Sequence, residues 1–305
     1  MKGLVALTDG GWFDFLSQQQ PDEVNFWQPS GETNFRALEP GEPLLFKLHS
    51  PKNFIVGGGF FAHFSRFPLS LAWAAFGEKN GAATFEQMRS QISRHRHETA
   101  DSGEDYDIGC IILIEPFFFD RSDWIPCPPD FAPNVVRYKG YDLAVEPGHS
   151  LWAQVVAQWP HTAQFVAEED LRPMFGDPTL VQHRLGQGGF RLKVTDTYRR
   201  HCAVTGEKTL PVLEAAHIRP VTAGGDHRPS NGLLLRSDIH TLFDRGYVTI
   251  TPDYRFRVSD RLRLKWSNGR VYYELAGREI SVPQRQEERP DRRELEWHAD
   301  TVFLG

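Results

Sequence analysis

Short runs of apolar residues broken by turn-forming ones dominate the first 130 positions, and they predict a β-rich unit with helical insertions. Val5-Ala6-Leu7, Glu23–Trp27, Pro43–Leu48 and Asn53–Phe61 read as strands, separated by Gln28-Pro29-Ser30-Gly31 and Pro40-Gly41-Glu42. The glycines at 57–59 mark a bulge or a close backbone approach. Gly109–Ile114 is a continuous apolar run, the pattern of a strand covered on both faces. Helical spacing appears after Asp9 (Gly11–Leu16), over Leu69–Phe76 and over Phe85–Arg96, the last capped by Thr84.

Further along, Trp124–Pro147 is rich in Pro, Asp and Gly and reads as loop or linker, while Leu151–Trp159 has helical spacing. Residues 160–190 read as a connecting region ending in Gly186-Gln187-Gly188-Gly189. Leu213–His217 is a strand that ends in a histidine, and Asp238–Asp244 is a short amphipathic helix closed by Gly246. Arg270–Leu275 has strand character, and the alternating Arg255, Arg257, Arg261, Arg263 and Lys265 predict charges sharing one strand face. No internal repeat interrupts this order.

Composition narrows the class. With 305 residues, 40% hydrophobic and 24% charged, the chain can form one large or two ordinary packed domains. The net charge of −6 argues mildly against a polyanionic partner, but it is an average over unlike parts. Residues 1–160 carry 12 basic and 20 acidic side chains, whereas 181–270 carry 16 basic and 8 acidic, a local +8. Three scattered cysteines make neither a disulfide framework nor a four-cysteine zinc site. The N-terminus lacks a signal-peptide pattern and no apolar run is membrane-length, so a soluble cytoplasmic protein without a membrane partner is expected.

The chemistry concentrates in three pieces of the basic segment: Leu213–Pro220 with His217, Asn231 followed by Gly232-Leu233-Leu234-Leu235, and Asp238–Gly246 with His240. His240 lies nine residues after Asn231, and Asp244 one helical turn beyond His240 on the same face. This His…Asn…His order, with Gly224-Gly225 between its first two members, resembles the HNH endonuclease family and its ββα-metal fold. Arg184-x-Gly186-Gln187-x-x-Phe190-Arg191 and Tyr198-x-x-x-Cys202-Ala203-Val204-Thr205-Gly206 resemble the segment preceding the HNH core of restriction endonucleases, and Leu295-Glu296-Trp297-His298 their tail.

The resemblance implies roles. His217 is the candidate general base, since imidazole accepts a proton from water near neutral pH. Asn231 orients His217 and its loop. His240 is the candidate ligand of one divalent cation, with Asp244 a second at i, i+4; their donor set suits Mg²⁺ or Mn²⁺, and histidine also admits Zn²⁺ or Ni²⁺. Many relatives carry a ligand immediately before the base, where this chain has Ala216; either Glu214 substitutes or water completes the shell. The paired C-x-x-C of some relatives is absent, Cys202 standing with Thr205 and Arg236 with Ile239, so no structural zinc is expected. Arg191, Arg199, Arg200, Arg219 and Arg245, with Lys193 and Arg228 nearby, are candidate phosphate contacts.

The strand pattern of residues 1–125, with Asn25-Phe26-Trp27-Gln28-Pro29-Ser30, resembles PUA-superfamily modules such as EVE, small β-barrels of which some read modified bases. That likeness makes Trp27, Asn25, Ser30 and Trp12 candidates for a flipped-base pocket. The expected architecture is α+β: a PUA-like barrel domain with helices over 1–150, a helical linker over 151–183, and a ββα-metal HNH domain over 184–305. The preferred reading is a metal-dependent endonuclease acting on double-stranded DNA, directed by a modified base such as a modified cytosine. A restriction nuclease indifferent to modification and a catalytically silent DNA-binding protein are the alternatives. Cutting two strands calls either for a homodimer or for sequential nicking.

Overall fold

The structure, a computed structural model, describes residues 1–30, 34–96, 105–158 and 185–305. The chain divides into two compact units, Met1–His183 and Arg184–Gly305. Both mix helices with β-structure.

The first unit is built on a seven-stranded sheet. Its strands are β1 (Lys2–Thr8), β2 (Glu23–Gln28), β3 (Pro43–Leu48), β4 (Phe54–Pro68), β5 (Asp107–Phe118), β6 (Ile125–Pro126) and β7 (Tyr138–Asp142). They run in the order β2-β5-β4-β3-β1-β7, with β6 on the start of β4. Only β1 and β3 are parallel; the other pairs are antiparallel. Among the described residues no β2–β7 pairing closes the sheet, so the architecture is mixed α+β without the closed barrel that the PUA likeness implied. The glycine-rich stretch of β4 does carry register shifts, between Gly58 and Phe60 and between Phe61 and His63. Two of the seven strands, β6 and β7, lie in the stretch expected to be linker; β7 is drawn into the sheet by antiparallel pairing with β1.

Helix α1 (Gly10–Gln19) starts where Asp9 accepts hydrogen bonds from the Gly11 and Trp12 amides, and it buries Trp12, Phe13 and Leu16 against the sheet. Trp12 meets Phe26 and Phe46 edge-on at 5.4 and 5.2 Å. Each such ring stabilises the fold by roughly 1.5–3 kcal/mol through burial. Helices α2 (Leu69–Phe76) and α3 (Phe85–Arg96) follow, and Thr84 Oγ1 accepts from the Gln87 amide as the cap of α3. Helix α4 (Gly148–Gln158) occupies part of the expected linker; the remainder of that linker and Arg184 lie outside the described residues.

In the second unit, α5 (Gln187–Thr197) begins inside the glycine run that had read as connector, with Gly188 and Gly189 buried. Strands β8 (Leu213–His217) and β9 (Gly232–Arg236) pair antiparallel, and α6 (Ser237–Asp244) follows β9 directly. Leu233, Leu234 and Leu235 are all fully buried, which covers β9 on both faces. A second hairpin joins β10 (Val248–Ile250) and β11 (Phe256–Val258), and α7 (Asp260–Trp266), α8 (Arg270–Tyr273) and α9 (Arg292–Thr301) complete the unit.

Two expectations are corrected here. Arg270–Tyr273 is a helical turn because an Arg270–Glu274 pair at 2.9 Å spans it and both tyrosine hydroxyls reach tertiary partners, Asp238 and the Ser259 carbonyl. The basic run from Arg255 to Lys265 crosses from β11 into α7, started by the Ser259 cap, so its charges do not share one strand face.

His298 of α9 is a core residue, 2% exposed and stacked 3.7 Å from the Phe243 ring. Nε2 donates to the Phe243 carbonyl, so Nδ1 accepts from Thr249 at 2.8 Å. Burial holds this imidazole well below its ordinary 6.5, at about 4, against the opposing pull of the Phe243 carbonyl. The unfolded chain therefore takes up a proton near pH 6.5 that the folded chain refuses until about 4. This contribution is complete above pH 6.5 and falls away toward pH 4, by roughly 3 kcal/mol. In urea titrations of the full chain, His298→Gln should be less stable than the parent at pH 7.5, and the gap should narrow at pH 4.5. A gap independent of pH would refute the buried neutral imidazole.

Candidate active site

Strand β8 delivers His217 to the edge of the hairpin, opposite Gly232. Between them the chain makes a long polar excursion, and Asn231 closes it. Its Oδ1 accepts from the Arg219 amide at 2.9 Å, while Nδ2 donates to the carbonyls of Arg219 and Asp226 at 2.9 and 2.8 Å. The side chain is 2% exposed, so these bonds form away from competing water. The loop packs so closely that a Cβ on Gly225 would lie 1.9 Å from the Arg219 carbonyl oxygen. Gly232 is needed for a similar reason: a Cβ there would meet Val194 at 2.5 Å and Phe190 at 3.0 Å.

Phe190 is itself part of the site. Its ring stacks on the His217 imidazole with centroids 3.9 Å apart and planes 11° from parallel. On another side, His217 Nε2 lies 3.0 Å from Nδ1 of His227. Burial, reinforced by the neighbouring His227 and His240 and opposed by Asp226, lowers the His217 imidazole to about 4. The ring is therefore neutral at physiological pH, as a proton acceptor must be.

His240 sits on α6 with each ring nitrogen facing a carboxylate. Nδ1 donates to Glu214 Oε2 at 2.6 Å, and Nε2 lies 3.3 Å from Asp244 Oδ2 across one helical turn. Glu214, His240 and Asp244 are 44%, 21% and 58% exposed, so the row opens to solvent. Partial desolvation raises the Asp244 carboxyl, with His240 opposing and the Glu214 charge adding, though solvent screens much of the effect. The three side chains form a row rather than a ring around one point, because the two imidazole nitrogens face different ways. Among the described residues no group of three or more His, Cys, Asp or Glu side chains is arranged to hold a metal ion. Ala216, where a ligand was looked for, is fully buried in the core.

The candidate phosphate contacts separate into two kinds. Arg219 is committed to the fold: Nε donates to the Ala223 carbonyl, Nη1 lies 3.9 Å from Glu294, and the guanidinium rests over Trp297. Arg200 lies 3.9 Å from Asp196, and Arg191 is half-buried on α5. Arg199 and Arg245 are exposed and make no ion pair among the described residues.

The first unit has a cavity of about 640 Å³ lined by Trp12, Trp27 and Ser30, with Arg66, Arg96 and Tyr106 among the other walls. The Trp27 indole is fixed by an Nε1 hydrogen bond to the Asn80 carbonyl at 3.0 Å. Trp12, 3% exposed, is chiefly a core ring that reaches the cavity. Asn25 is not among the lining residues: it is fully buried and donates to Asn80 Oδ1 at 2.9 Å.

The site is thus a histidine-bearing hairpin followed by a helix whose histidine is set between acids. Residues 202–251 match the family model of the HNH endonuclease, a span that contains Glu214, His217, His227, Asn231, His240 and Asp244. No curated protein matches the chain. Among solved structures, the ASCH protein of Zymomonas mobilis shares 7% identity at a TM-score of 0.35, covering 51% of this chain and 94% of its own. A tyrosine-to-phenylalanine variant of that protein gives 7% and 0.36, covering 51% and 99%. A structure described as the modification-dependent TagI restriction endonuclease shares 14% identity at a TM-score of 0.29, covering 99% of this chain and 81% of its own.

Asn231→Asp replaces two donated hydrogen bonds with a carboxylate facing two carbonyl oxygens. It should destabilise the fold by roughly 2–4 kcal/mol in chemical denaturation. Parental stability in this variant would show that the amide does not hold the loop.

Proposed function

We propose that the chain is a metal-dependent DNA endonuclease of restriction type, with a cutting site in the second unit and a base-reading site in the first. The observation that carries this reading is the pairing of a neutral, half-buried His217 with the acid-flanked His240 inside the segment that matches the HNH endonuclease family.

Phosphodiester hydrolysis needs a water freed of a proton, an in-line approach to phosphorus and relief of charge on the departing 3′ oxygen. His217 takes the proton. Phe190 fixes the plane of its ring, and Asn231 fixes the loop that follows it. Two carboxylates beside one imidazole form a hard, anionic donor set that suits Mg²⁺ or Mn²⁺ and leaves room for water ligands. With Nδ1 donating to Glu214, Nε2 and Asp244 would hold the ion, and Glu214 would orient the ring. A divalent cation bound there supplies Lewis-acid stabilisation to the leaving oxygen. Exposed Arg199 and Arg245 are the proposed phosphate contacts.

Selectivity is assigned to the first unit. Its cavity is of a size for a nucleobase with its sugar, and it offers the Trp27 ring for stacking and Ser30 with arginines for polar contact. A modified cytosine is the proposed ligand. An acidic unit can do this because a base pocket works by stacking and hydrogen bonding rather than by phosphate attraction.

The test is cleavage of unmodified, methylated and hydroxymethylated plasmid with Mg²⁺ or Mn²⁺. Cutting confined to modified DNA is expected, and Trp27→Ala should lose that preference. Equal cutting of all three substrates would favour a nuclease indifferent to modification, and DNA binding without cutting would favour a silent binding protein. His217→Ala should lower the cleavage rate by about 10²–10⁴-fold while DNA affinity is retained. Comparable activity in that variant would remove His217 as the base.

A further inference from the structure

We propose that His227 is a positioning residue for His217: it accepts the Nε2 proton of His217, fixes that ring in its base-competent tautomer and steadies the imidazolium formed during cleavage. The inference rests on His217 being the general base, and the two ideas fail in different ways.

The 3.0 Å contact between His217 Nε2 and His227 Nδ1 leaves room for one proton between two nitrogens. Two arrangements satisfy it. In the first, His217 carries its proton on Nε2 and donates it, and its Nδ1 lone pair stays free. In the second, His227 donates, the Nε2 lone pair of His217 is consumed, and its proton sits on Nδ1. Only the first leaves His217 able to take a proton from water. Among the described residues His217 Nδ1 has no protein hydrogen-bond partner, as a nitrogen reserved for an attacking water requires.

The same bond changes strength during the reaction. When water loses a proton to His217 Nδ1, the ring becomes an imidazolium, and its Nε2–H bond to the neutral His227 becomes charge-assisted. The resulting hydroxide attacks phosphorus, and the proton on Nδ1 is later released to solvent, which restores the neutral ring. An interaction stronger in the transition state than in the ground state raises kcat and leaves substrate binding nearly unchanged. The fold holds His227 in place for this role. It shares the loop stapled by Asn231 through the Asp226 carbonyl, and its ring lies 5.7 Å from that of Phe190.

The experiment uses the full chain with Mg²⁺ or Mn²⁺ and a cleavable plasmid. His227→Leu should lower kcat by about 10- to 100-fold, the loss expected for a hydrogen bond to a charged group, with KM and DNA affinity unchanged. His227→Asn places an amide oxygen near the Nδ1 position and should recover most of the rate. Independently of any variant, ¹⁵N-histidine spectra of the parent should show His217 as the Nε2–H tautomer. An Nδ1–H tautomer, or a leucine variant with parental kcat, would overturn the role of His227. A leucine variant that loses DNA binding in step with kcat, or an asparagine variant no better than leucine, would do so too. If instead His217→Ala still cuts at the parental rate, it is the assignment of the base that fails.

Discussion

The Asn231 carboxamide is the constraint on which the candidate site depends. One planar group, withdrawn from solvent, satisfies an amide and two carbonyls of the loop that joins the site's strands. No apolar contact can do this, because the loop is polar and must still pass close enough to itself that Gly225 has no room for a Cβ. The Ile218 amide also donates to the Asn231 carbonyl, so the backbone on either side of the staple is tied as well. With that loop fixed, His217, Asp226 and His227 have defined places, and the stacking of Phe190 on His217 follows from the packing of α5 over the glycine at the start of β9.

The two imidazoles of the site have contrasting surroundings. His217 lies partly buried against an aromatic face, which disfavours charge and leaves a lone pair available at neutral pH. His240 lies between two carboxylates at a solvent-open position. Both surroundings are built within one hairpin and the helix that follows it. His298 shows that burial and stacking alone do not make a site: its nitrogens are both used within the core.

Much of this was legible in the sequence, and the remainder was hidden for identifiable reasons. The spacing of His217, Asn231, His240 and Asp244 survives translation into structure because a strand edge, a loop closure and one helical turn each correspond to a fixed sequence separation. His227 had no such signal: a histidine in a polar loop lies on no periodic face, and only the fold brings it to His217. Tyr138–Asp142 looked like linker because its flanks are rich in Pro, Asp and Gly, yet pairing with β1, more than a hundred residues away, makes it a strand. Arg270–Tyr273 has the β-branched and aromatic residues of a strand, and tertiary hydrogen bonds from Tyr272 and Tyr273 override that preference. Asn25 and Trp27 share a strand face by alternation. Along that face, however, the side chain of Asn80 takes up Asn25, while Trp27 remains at the cavity.

Charge shows how a count differs from a surface. The local +8 of residues 181–270 suggested a band of cations for DNA, but many of these cations are bound internally. Lys193 reaches Glu288, Arg228 reaches Asp226, Arg236 reaches Asp238, and Arg219 spans the loop and α9. Such pairs compensate charge locally and weaken the field at a distance, so they add little to counterion release on DNA binding. Where a cation keeps no carboxylate partner among the described residues, as at exposed Arg199, Lys208, Arg245 and Arg261, its field reaches further into solvent.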